Sequence, residues 1–565
     1  MVKFKDYIYE RPDMDLLKSD MNKLFEGFNE VKSANEQIGK IREINKLRNR
    51  FETMKNIVEV RNSMDTTDPY YEKENDFMDE NLPIYQEIVS NYYKLLVESK
   101  YAKEIEETYG KQILNIAKTT LESFSSEIIS ELQEENKLKS KYSKLRASAR
   151  IIFQGEEYNI EQMIPFMQDV DREVRKNAHK AVSGFFKEKQ DEFDQIYDGM
   201  VKLRHSMAKK LGYDNFVPLG YKRLNRVDYN FEDVKKYREK IIKYVVPVAS
   251  KLREKQAKRL GISALKYYDE ALEFLTGNAS PKGNPDWILD KGRRMYSEMS
   301  RETDEFFKFM ESSELMDLVS RKGKSGGGYC TYINDYKAPF IFSNFNGTSG
   351  DVDVLTHEAG HAFQGYSSRD FELPEYYFPT LEACEIHSMS MEFLAWPWMG
   401  LFFEEEEAKY KFSHLSGTLL FLPYGALVDE FQHFVYENPN VSPEERRSEW
   451  RKLEQKYLPT RDYDGDEFME AGGFWFKQGH LFSDPFYYID YTLAQVSALE
   501  FWMRSSQDRE SAFKDYLELC KKGGSLPYLS LVESAKLNNP FEGDIVKEVI
   551  EKAEEWLSKI DDQNL

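Results

Sequence analysis

Two histidines four residues apart, with a glutamate directly after the first, are the residues of this 565-residue chain best suited to chemistry. They are His357, Glu358 and His361, in the segment THEAGHAFQGY. Positions four apart lie on one face of an α-helix, so both imidazoles can reach one zinc ion. Glu358 can then reach a metal-bound water without binding the metal itself. With only eight histidines in the chain, this pattern is expected by chance in about one such chain in a hundred.

A catalytic zinc site needs a third protein ligand and one position open to water. The segment LEACEIHSMSMEFL follows the histidines and carries three acids among apolar residues at helical spacing. Because buried carboxylates need a cation nearby, one of these acids is expected to complete a His₂Glu site. The candidates are Glu382, Glu385 and Glu392.

Three residues close in sequence to these candidate ligands allow more than one interpretation of their role. Asp353 lies one turn before His357 and either accepts the free ring N–H of that histidine or remains a solvated acid of the first helical turn. His387 lies two residues after Glu385, off its helix face, and is expected to be structural or substrate-facing rather than a ligand. Cys384 has no activating partner in the sequence, which favours a packed residue over a nucleophile.

The elements that must position these groups are mostly helices. Residues 1 to about 260 place apolar side chains three and four apart, and the chain returns to helix after the zinc segment. A small hairpin is predicted within Ala149–Met163, and two strands, YCTYI and APFIFSN, within Lys322–Gly350. We therefore expect a mainly α fold with one small β-sheet beside the zinc helix. It divides into an N-terminal helical region over 1–150 and a catalytic region over 151–565.

Composition excludes several classes of function. The net charge of −21 repels phosphate backbones, so no nucleic-acid partner is expected. No secretory signal or membrane-spanning run is apparent, and the three scattered cysteines suit a reducing compartment. We expect a cytoplasmic protein without a membrane partner. The glycine-rich KSGGGYC lacks the residue order of a phosphate loop and is expected to be a flexible loop beside the active site.

Four segments together resemble a known family of enzymes. They are FSNFNGTSGDVDVLTHEAGHAFQ, EIHSMSMEFL, DEFQHFVYENP and HLFSDPFYYIDY. The sequence resembles the thimet-oligopeptidase-like zinc metallopeptidases, specifically their oligoendopeptidase F or Pz-peptidase branch, from roughly residue 150 to the end. The resemblance implies a helical ellipsoid with a deep, narrow substrate cleft. It also implies one Zn²⁺ ion at the cleft floor and short unfolded peptides as substrates.

The same resemblance assigns roles to individual residues. The family's third ligand opens an E-x-x-S-x-x-x-E pattern that maps onto Glu385, Ser388 and Glu392. Glu385 is thereby implied as the third metal ligand and Glu392 as an acid supporting the ligands. Glu382 is the alternative ligand if the helix register differs.

A C-terminal segment is implied to bind the tetrahedral intermediate. Family members use tyrosines near a histidine for this, which maps onto His480 and Tyr488 or Tyr491. Tyr488 and Tyr491 are three residues apart and can share a helix face. Tyr487 is assigned to the core. This chain has Ser-Asp-Pro at 483–485 where better-known relatives carry Gly-Gly, which leaves the choice among the tyrosines open.

Candidate substrate-binding residues lie in two further segments. The APFIFSN strand, with Phe340 and Phe342, is either an edge that pairs with an extended peptide or an ordinary core strand. Gly472 and Gly473 form either a mobile substrate loop or a tight turn.

The function expected from these residues is zinc-dependent hydrolysis of internal bonds in short peptides, with Glu358 as the general base for a metal-activated water. One alternative is a zinc exopeptidase of the dipeptidyl carboxypeptidase type, which needs a cation such as Arg369 to capture a terminal carboxylate. Another is a non-catalytic, zinc-stabilised peptide-binding protein, which the absence of cysteine pairs at metal spacing and the presence of Glu358 disfavour.

Overall fold

The computed structural model describes residues 2–565. Its N-terminal part is helical, as the apolar periodicity predicts. Asp13, Ser33 and Asp68 begin the first three helices as N-caps, since each side chain accepts a backbone N–H of the first turn. The helices of this part are α1 (Met14–Glu30), α2 (Ala34–Met64), α3 (Pro69–Glu98), α4 (Ala102–Tyr109), α5 (Gln112–Ser123) and α6 (Ile129–Ala147).

A two-stranded hairpin separates this part from the middle of the chain. Strands β1 (Ile151–Phe153) and β2 (Glu156–Tyr158) pair antiparallel, which confirms the predicted hairpin. Gln154 and Gly155 form its turn, both with positive φ. The helices that follow are α7 (Ile164–Met167), α8 (Arg172–Glu188), α9 (Gln190–Lys210), α10 (Phe216–Arg223), α11 (Phe231–Lys240), α12 (Val246–Arg259), α13 (Pro285–Met299) and α14 (Arg301–Ser312).

A three-stranded sheet precedes the segment that carries His357 and His361. It contains β3 (Met316–Val319), β4 (Tyr329–Ile333) and β5 (Ala338–Phe345) in the order β3-β5-β4. Strand β5 pairs parallel with β3 and antiparallel with β4. The two predicted strands, β4 and β5, are confirmed. Strand β3 was not predicted because it is short and lies inside a charged segment.

The remainder of the chain is again helical, so the predicted mainly α fold is confirmed. Its helices are α15 (Gly350–Ser367), α16 (Leu381–Leu394), α17 (Gly400–Phe403), α18 (Glu407–Glu437), α19 (Pro443–Tyr457), α20 (Glu467–Glu470), α21 (Gly479–Ser483), α22 (Tyr488–Ser505), α23 (Arg509–Lys522), α24 (Tyr528–Ser534) and α25 (Ile545–Ser558). Within residues 2–565, none of the helices combines the length and the apolarity needed to cross a membrane.

The main hydrophobic core joins distant parts of the sequence, from Phe4 to Leu557. A buried arginine reinforces this connection. Arg204 on α9 donates to Glu135 on α6 over 2.7 Å and to the Tyr436 hydroxyl on α18 over 2.7 Å. It also donates to the backbone carbonyl of Phe482 in α21. The arginine thus ties the N-terminal helices to the C-terminal segment that carries the predicted catalytic residues.

We expect Arg204→Met to lower the free energy of unfolding by about 3–5 kcal/mol, because it leaves Glu135 buried with a weakened counter-charge. Urea titration of the two proteins measures the change. Arg293→Met removes a half-exposed ion pair with Glu311 and is the matched control. It should cost no more than about 1 kcal/mol. Equal losses in both variants would contradict this role for Arg204.

Candidate metal centre and catalytic groups

Helix α15 carries both histidines of the motif on one face. The rings of His357 and His361 lie 5.0 Å apart, centroid to centroid. Helix α16 packs across α15 and brings Glu385 to the same point. Glu385 Oε2 lies 3.2 Å from His357 Nε2 and 3.4 Å from His361 Nε2. The sequence motif and the third acid therefore converge on one small volume.

The separations fit a metal ion. One donor atom from each of the three side chains lies within 4.8 Å of the others. Donors at about 2.0–2.1 Å from a tetrahedral ion lie about 3.3–3.4 Å apart, which matches the two measured imidazole–carboxylate distances. The donor set of two imidazoles and one carboxylate is that of catalytic zinc sites.

The charges around the three donors favour a cation between them. Burial by itself lowers the pKa of His357, but hydrogen bonds to Glu385 and Glu392 outweigh it and raise that pKa well above its usual value. Burial likewise raises the pKa of Glu385, and the two histidines reverse this shift and hold the pKa well below normal. A site that attracts a proton this strongly also attracts a metal ion, which competes for the same lone pairs.

The close approach of α15 and α16 depends on Gly360, between the two histidines. A Cβ at this position would lie 2.6 Å from the carbonyl oxygen of His387 and 2.6 Å from Cα of Ser388. Both distances are shorter than any real Cβ contact, so only glycine fits here. The backbone of α16 therefore rests directly on α15, one turn from Glu385. Sequence analysis did not identify this role, although the glycine lies inside the motif.

A chain of hydrogen bonds orients the first histidine. Glu392 Oε1 lies 2.7 Å from His357 Nδ1, and Glu392 Oε2 lies 2.8 Å from His414 Nε2. The Trp396 indole N–H donates to His414 Nδ1 over 3.2 Å. This donation leaves the proton of neutral His414 on Nε2, where it bonds to Glu392. His357 in turn directs Nε2 toward Glu385.

The hydrogen bond suggested for Asp353 with His357 is not present. Asp353 instead accepts the Tyr410 hydroxyl over 2.6 Å, and Glu392 occupies the position beside His357. The suggestion was wrong because α16 supplies a carboxylate that lies closer to the ring. His414 and Trp396 lie on other elements, and only the rarity of histidine in this chain could have pointed to the former.

Glu358 lies beside the three donors without joining them. Its side chain is buried, and within residues 2–565 its Oε2 atom makes no hydrogen bond. Burial raises the pKa of Glu358, although the neighbouring histidines oppose the shift. Gly328, which precedes β4, covers its other oxygen: a Cβ there would lie 3.3 Å from Glu358 Oε1. This carboxylate has a free acceptor and is poised to take up a proton.

The C-terminal segment brings three tyrosines and a histidine together. Tyr487 donates its hydroxyl to Glu385 Oε1, so its assignment to the core was wrong. The Tyr491 hydroxyl lies 3.1 Å from His480 Nε2. The Tyr488 ring lies 5.1 Å from that of His480, centroid to centroid, and both Tyr488 and Tyr491 pack edge to face on Phe421. The sequence alone could not rank these tyrosines because their order depends on where α22 begins.

Gln478 fixes the orientation of His480. Its amide nitrogen lies 2.9 Å from His480 Nδ1, and its amide oxygen accepts the Tyr424 hydroxyl over 2.9 Å. The amide therefore donates to Nδ1, which leaves the imidazole proton on Nε2, facing Tyr491. Sequence analysis did not single out Gln478 or Tyr424, since neither belongs to a recognisable motif.

The predicted substrate-binding residues lie elsewhere. Phe340 and Phe342 are fully buried on β5, the central strand, so they neither form an edge nor contact a substrate. Gly472 and Gly473 are also buried. A Cβ on Gly472 would lie 2.0 Å from the Arg447 carbonyl oxygen, so this segment is a tight, packed turn rather than a mobile loop. The substrate-binding interpretation of both segments was therefore wrong, and the alternatives, a core strand and a tight turn, agree with the structure. Packing between distant elements, which decides between them, is not visible in local sequence.

Three other candidates are also located. His387 is completely buried, and its carbonyl oxygen accepts the Tyr516 hydroxyl over 2.8 Å, so it is structural. Glu382 is buried outside the group of three donors, near the charge of Arg226. Arg369 donates to the backbone carbonyl of Tyr366, and its guanidinium carbon lies 3.6 Å from the centre of the Tyr366 ring.

Comparison with known proteins identifies the class to which this fold and site belong. Residues 165–275 and 297–550 match the model of peptidase family M3, and residues 4–124 match the peptidase M3 N-terminal domain. The chain belongs to peptidase family M3.

Particular relatives agree with this assignment. A structure of Pz peptidase A with an inhibitor is 54% identical, has a TM-score of 0.99, and matches over 99% of this chain and 100% of that one. Oligopeptidase PepF of Bacillus subtilis is 21% identical over 70% of this chain and 60% of its own length. Chromosomal oligoendopeptidase F of Lactococcus lactis subsp. cremoris is 24% identical over 66% of this chain and 61% of its own length. Matches with the curated relatives thus span about three fifths of their lengths.

The family and these relatives confirm the predicted resemblance to the oligoendopeptidase F and Pz-peptidase branch. They indicate a metalloendopeptidase, which is the predicted enzyme class.

Replacing Gly360 by alanine should separate the two ligand-bearing helices and weaken metal binding. The steric clash should also lower the free energy of unfolding by about 1–3 kcal/mol, despite the higher helix propensity of alanine. Gly417→Ala in α18, where a Cβ would meet nothing within 4 Å, is the matched control and should be neutral or stabilising. Zinc affinity measured by chelator competition tests the effect. Wild-type affinity in Gly360→Ala would contradict it.

We expect Glu392→Gln to weaken zinc affinity by about 10–100-fold, because an amide cannot accept from both His357 and His414. Glu382→Gln changes a buried acid of the same helix outside the group of three donors, and should leave zinc affinity unchanged. Competition with a fluorescent chelator measures both variants. A larger loss with Glu382→Gln would instead support the alternative helix register.

Proposed function

We propose that the protein is a zinc-dependent endopeptidase that hydrolyses internal bonds of short, unfolded peptides, with Glu358 as the general base. The observation that carries the proposal is the convergence of three donors, with both imidazole nitrogens 3.2–3.4 Å from Glu385 Oε2, beside a carboxylate with a free oxygen. A structural zinc site has no use for such a carboxylate, and a closed site would need a fourth protein ligand.

His357, His361 and Glu385 would hold the zinc ion. When bound there, zinc polarises the scissile carbonyl and makes water nucleophilic near neutral pH. Two of these ligands are supported by neighbours: Glu392 orients His357, while Ser388 and Tyr487 donate to the two oxygens of Glu385. Such supporting bonds fix ligand orientation before the ion arrives.

Glu358 would move the protons of the reaction. Its free oxygen accepts a proton from the attacking water and later donates it to the leaving nitrogen. Burial supports this exchange, because a raised pKa brings the carboxyl closer to neutral pH, where it can both accept and release a proton.

Tyr491 and His480 would stabilise the oxyanion that forms on the scissile carbonyl. His480 donates from Nε2 to the Tyr491 oxygen, which leaves the tyrosine proton free to point at the substrate. Donors aimed in advance at the developing charge are typically worth about 3–4 kcal/mol each. Tyr487 is committed to Glu385, and among the three tyrosines the hydroxyl of Tyr491 is the one within hydrogen-bond distance of His480.

Strand β4, rather than β5, offers a free edge to an extended peptide. Tyr332 pairs with Pro339, which has no N–H, so the backbone groups of Tyr332 face away from β5. The Tyr332 carbonyl indeed accepts from Asn56 over 2.7 Å. Because orientation alternates along a strand, the backbone groups of Cys330 and Gly328 also face outward, next to Glu358. A peptide that paired with this edge as an additional strand would place its scissile bond beside Glu358, the general base.

The alternatives receive less support. The exopeptidase interpretation relied on Arg369 as the cation for a terminal carboxylate, and Arg369 is engaged with Tyr366. A non-catalytic scaffold leaves the unpaired oxygen of Glu358 without a purpose.

Matches to an M3 N-terminal domain over 4–124 and to family M3 from 165 onward support the division near residue 150. The three free cysteines support a reducing, cytoplasmic location.

The general base is tested by Glu358→Gln on an internally quenched peptide of about ten residues, blocked at both ends. We expect internal cleavage by the wild type and a loss of about 10²–10⁴-fold in kcat for the variant. Bound zinc, quantified in both proteins, should be unchanged because Glu358 is not a ligand. Full activity of the variant would refute the general-base role, and zinc without any cleavage by the wild type would favour the alternatives.

A further inference from the structure

Lys477 lies next to the catalytic segment and forms no ion pair with any acid of residues 2–565. It is the last residue of the short helical turn Gly473–Lys477, directly before Gln478 and three residues before His480. Its ammonium lies 3.7 Å from the centre of the Phe474 ring. Within the described residues 2–565 it makes neither a hydrogen bond nor an ion pair. An unpaired cation beside a substrate site is available to bind an anion.

The surroundings of Lys477 carry charges of both signs, but none forms an ion pair with it among the described residues. Arg461 lies over the same Phe474 ring at 4.8 Å. Glu270 pairs with Arg461 through two hydrogen bonds of 2.9 and 2.7 Å, and its charge acts on Lys477 only at longer range. The Arg461 Nη1 atom is buried without a hydrogen-bond partner among the described residues. Both cations thus lie against Phe474 with donors that no described residue engages.

The side chain of Lys477 is exposed, so its ammonium is open to a solute. Nearby protein atoms and the charge of Arg461 lower its pKa to about 7, and a bound carboxylate would raise that pKa again. The backbone from Lys477 to His480 spans at most about 11 Å, so an anion bound at Lys477 lies within about five residues of the scissile bond.

We propose that Lys477 binds a carboxylate of the peptide substrate and so selects peptides that carry a negative charge close to the cleaved bond. The proposal deepens the proposed peptidase function and rests on it. The carboxylate belongs either to an aspartate or glutamate side chain or to the C-terminus of a short peptide. Both present the same planar pair of oxygens to the ammonium.

The test compares matched peptides that differ only in charge. One pair has Asp or Asn within five residues of the cleaved bond, and a second pair has a free or an amidated C-terminus. In the wild type we expect kcat/KM to be about tenfold higher for the carboxylate member of at least one pair, mainly through KM. The pair that shows the preference identifies the source of the carboxylate.

Three variants assign the preference to a residue. Lys477→Gln should abolish it and Lys477→Arg should retain most of it. Lys139→Gln is the matched control, because Lys139 also has a lowered pKa but is flanked by the charges of Glu135 and Asp484. It should leave the preference unchanged. The ratio between two peptides does not depend on the amount of folded enzyme, so partial misfolding cannot imitate the result.

Several outcomes would overturn the proposal: equal cleavage of both members of each pair by the wild type, a preference that survives Lys477→Gln, or one that disappears in Lys139→Gln. If the wild type cleaves none of the peptides, the proposed peptidase function itself fails. That result differs from cleavage without charge preference, which removes only the role of Lys477.

Discussion

The contact between α15 and α16 at Gly360 is the constraint on which the remaining site geometry depends. The first helix supplies two imidazoles and the second supplies a carboxylate, and their donor atoms meet only if the two backbones nearly touch. A Cβ at position 360 would lie 2.6 Å from two backbone atoms of α16. Any side chain there would therefore push the helices apart and separate the three donor atoms. A single hydrogen atom in place of a methyl group thus determines whether three residues from two helices can share one ion.

The rest of the molecule holds this contact in place. Helix α22 closes the site through Tyr487, which donates to Glu385, and Tyr491, which meets His480. Arg204 ties the segment before α22 to the N-terminal helices. Glu392 and His414 orient His357 from a third direction. His357 and Glu385 are therefore positioned by elements from distant parts of the sequence, as catalysis by pre-organised groups requires.

The sequence predicted the features that depend on local patterns. Helical periodicity identified the mainly α fold, and the spacing of His357 and His361 identified the motif. Glu385 followed from the resemblance to a family. The errors concern long-range packing: Phe340 lies on a central strand because β3 pairs with β5, and Asp353 is displaced from its expected partner by Glu392. His414 and Gln478 act through contacts that no spacing in the sequence reveals.

The central claim is that His357, His361 and Glu385 hold one metal ion at this contact. X-ray absorption spectroscopy of the purified protein loaded with zinc, together with its metal content, tests this most directly. We predict one zinc per chain, with two imidazole nitrogens at about 2.0–2.1 Å, oxygen in the remaining positions, and loss of the ion in His361→Ala. Zinc with sulfur ligands, or undiminished zinc in His361→Ala, would contradict the account.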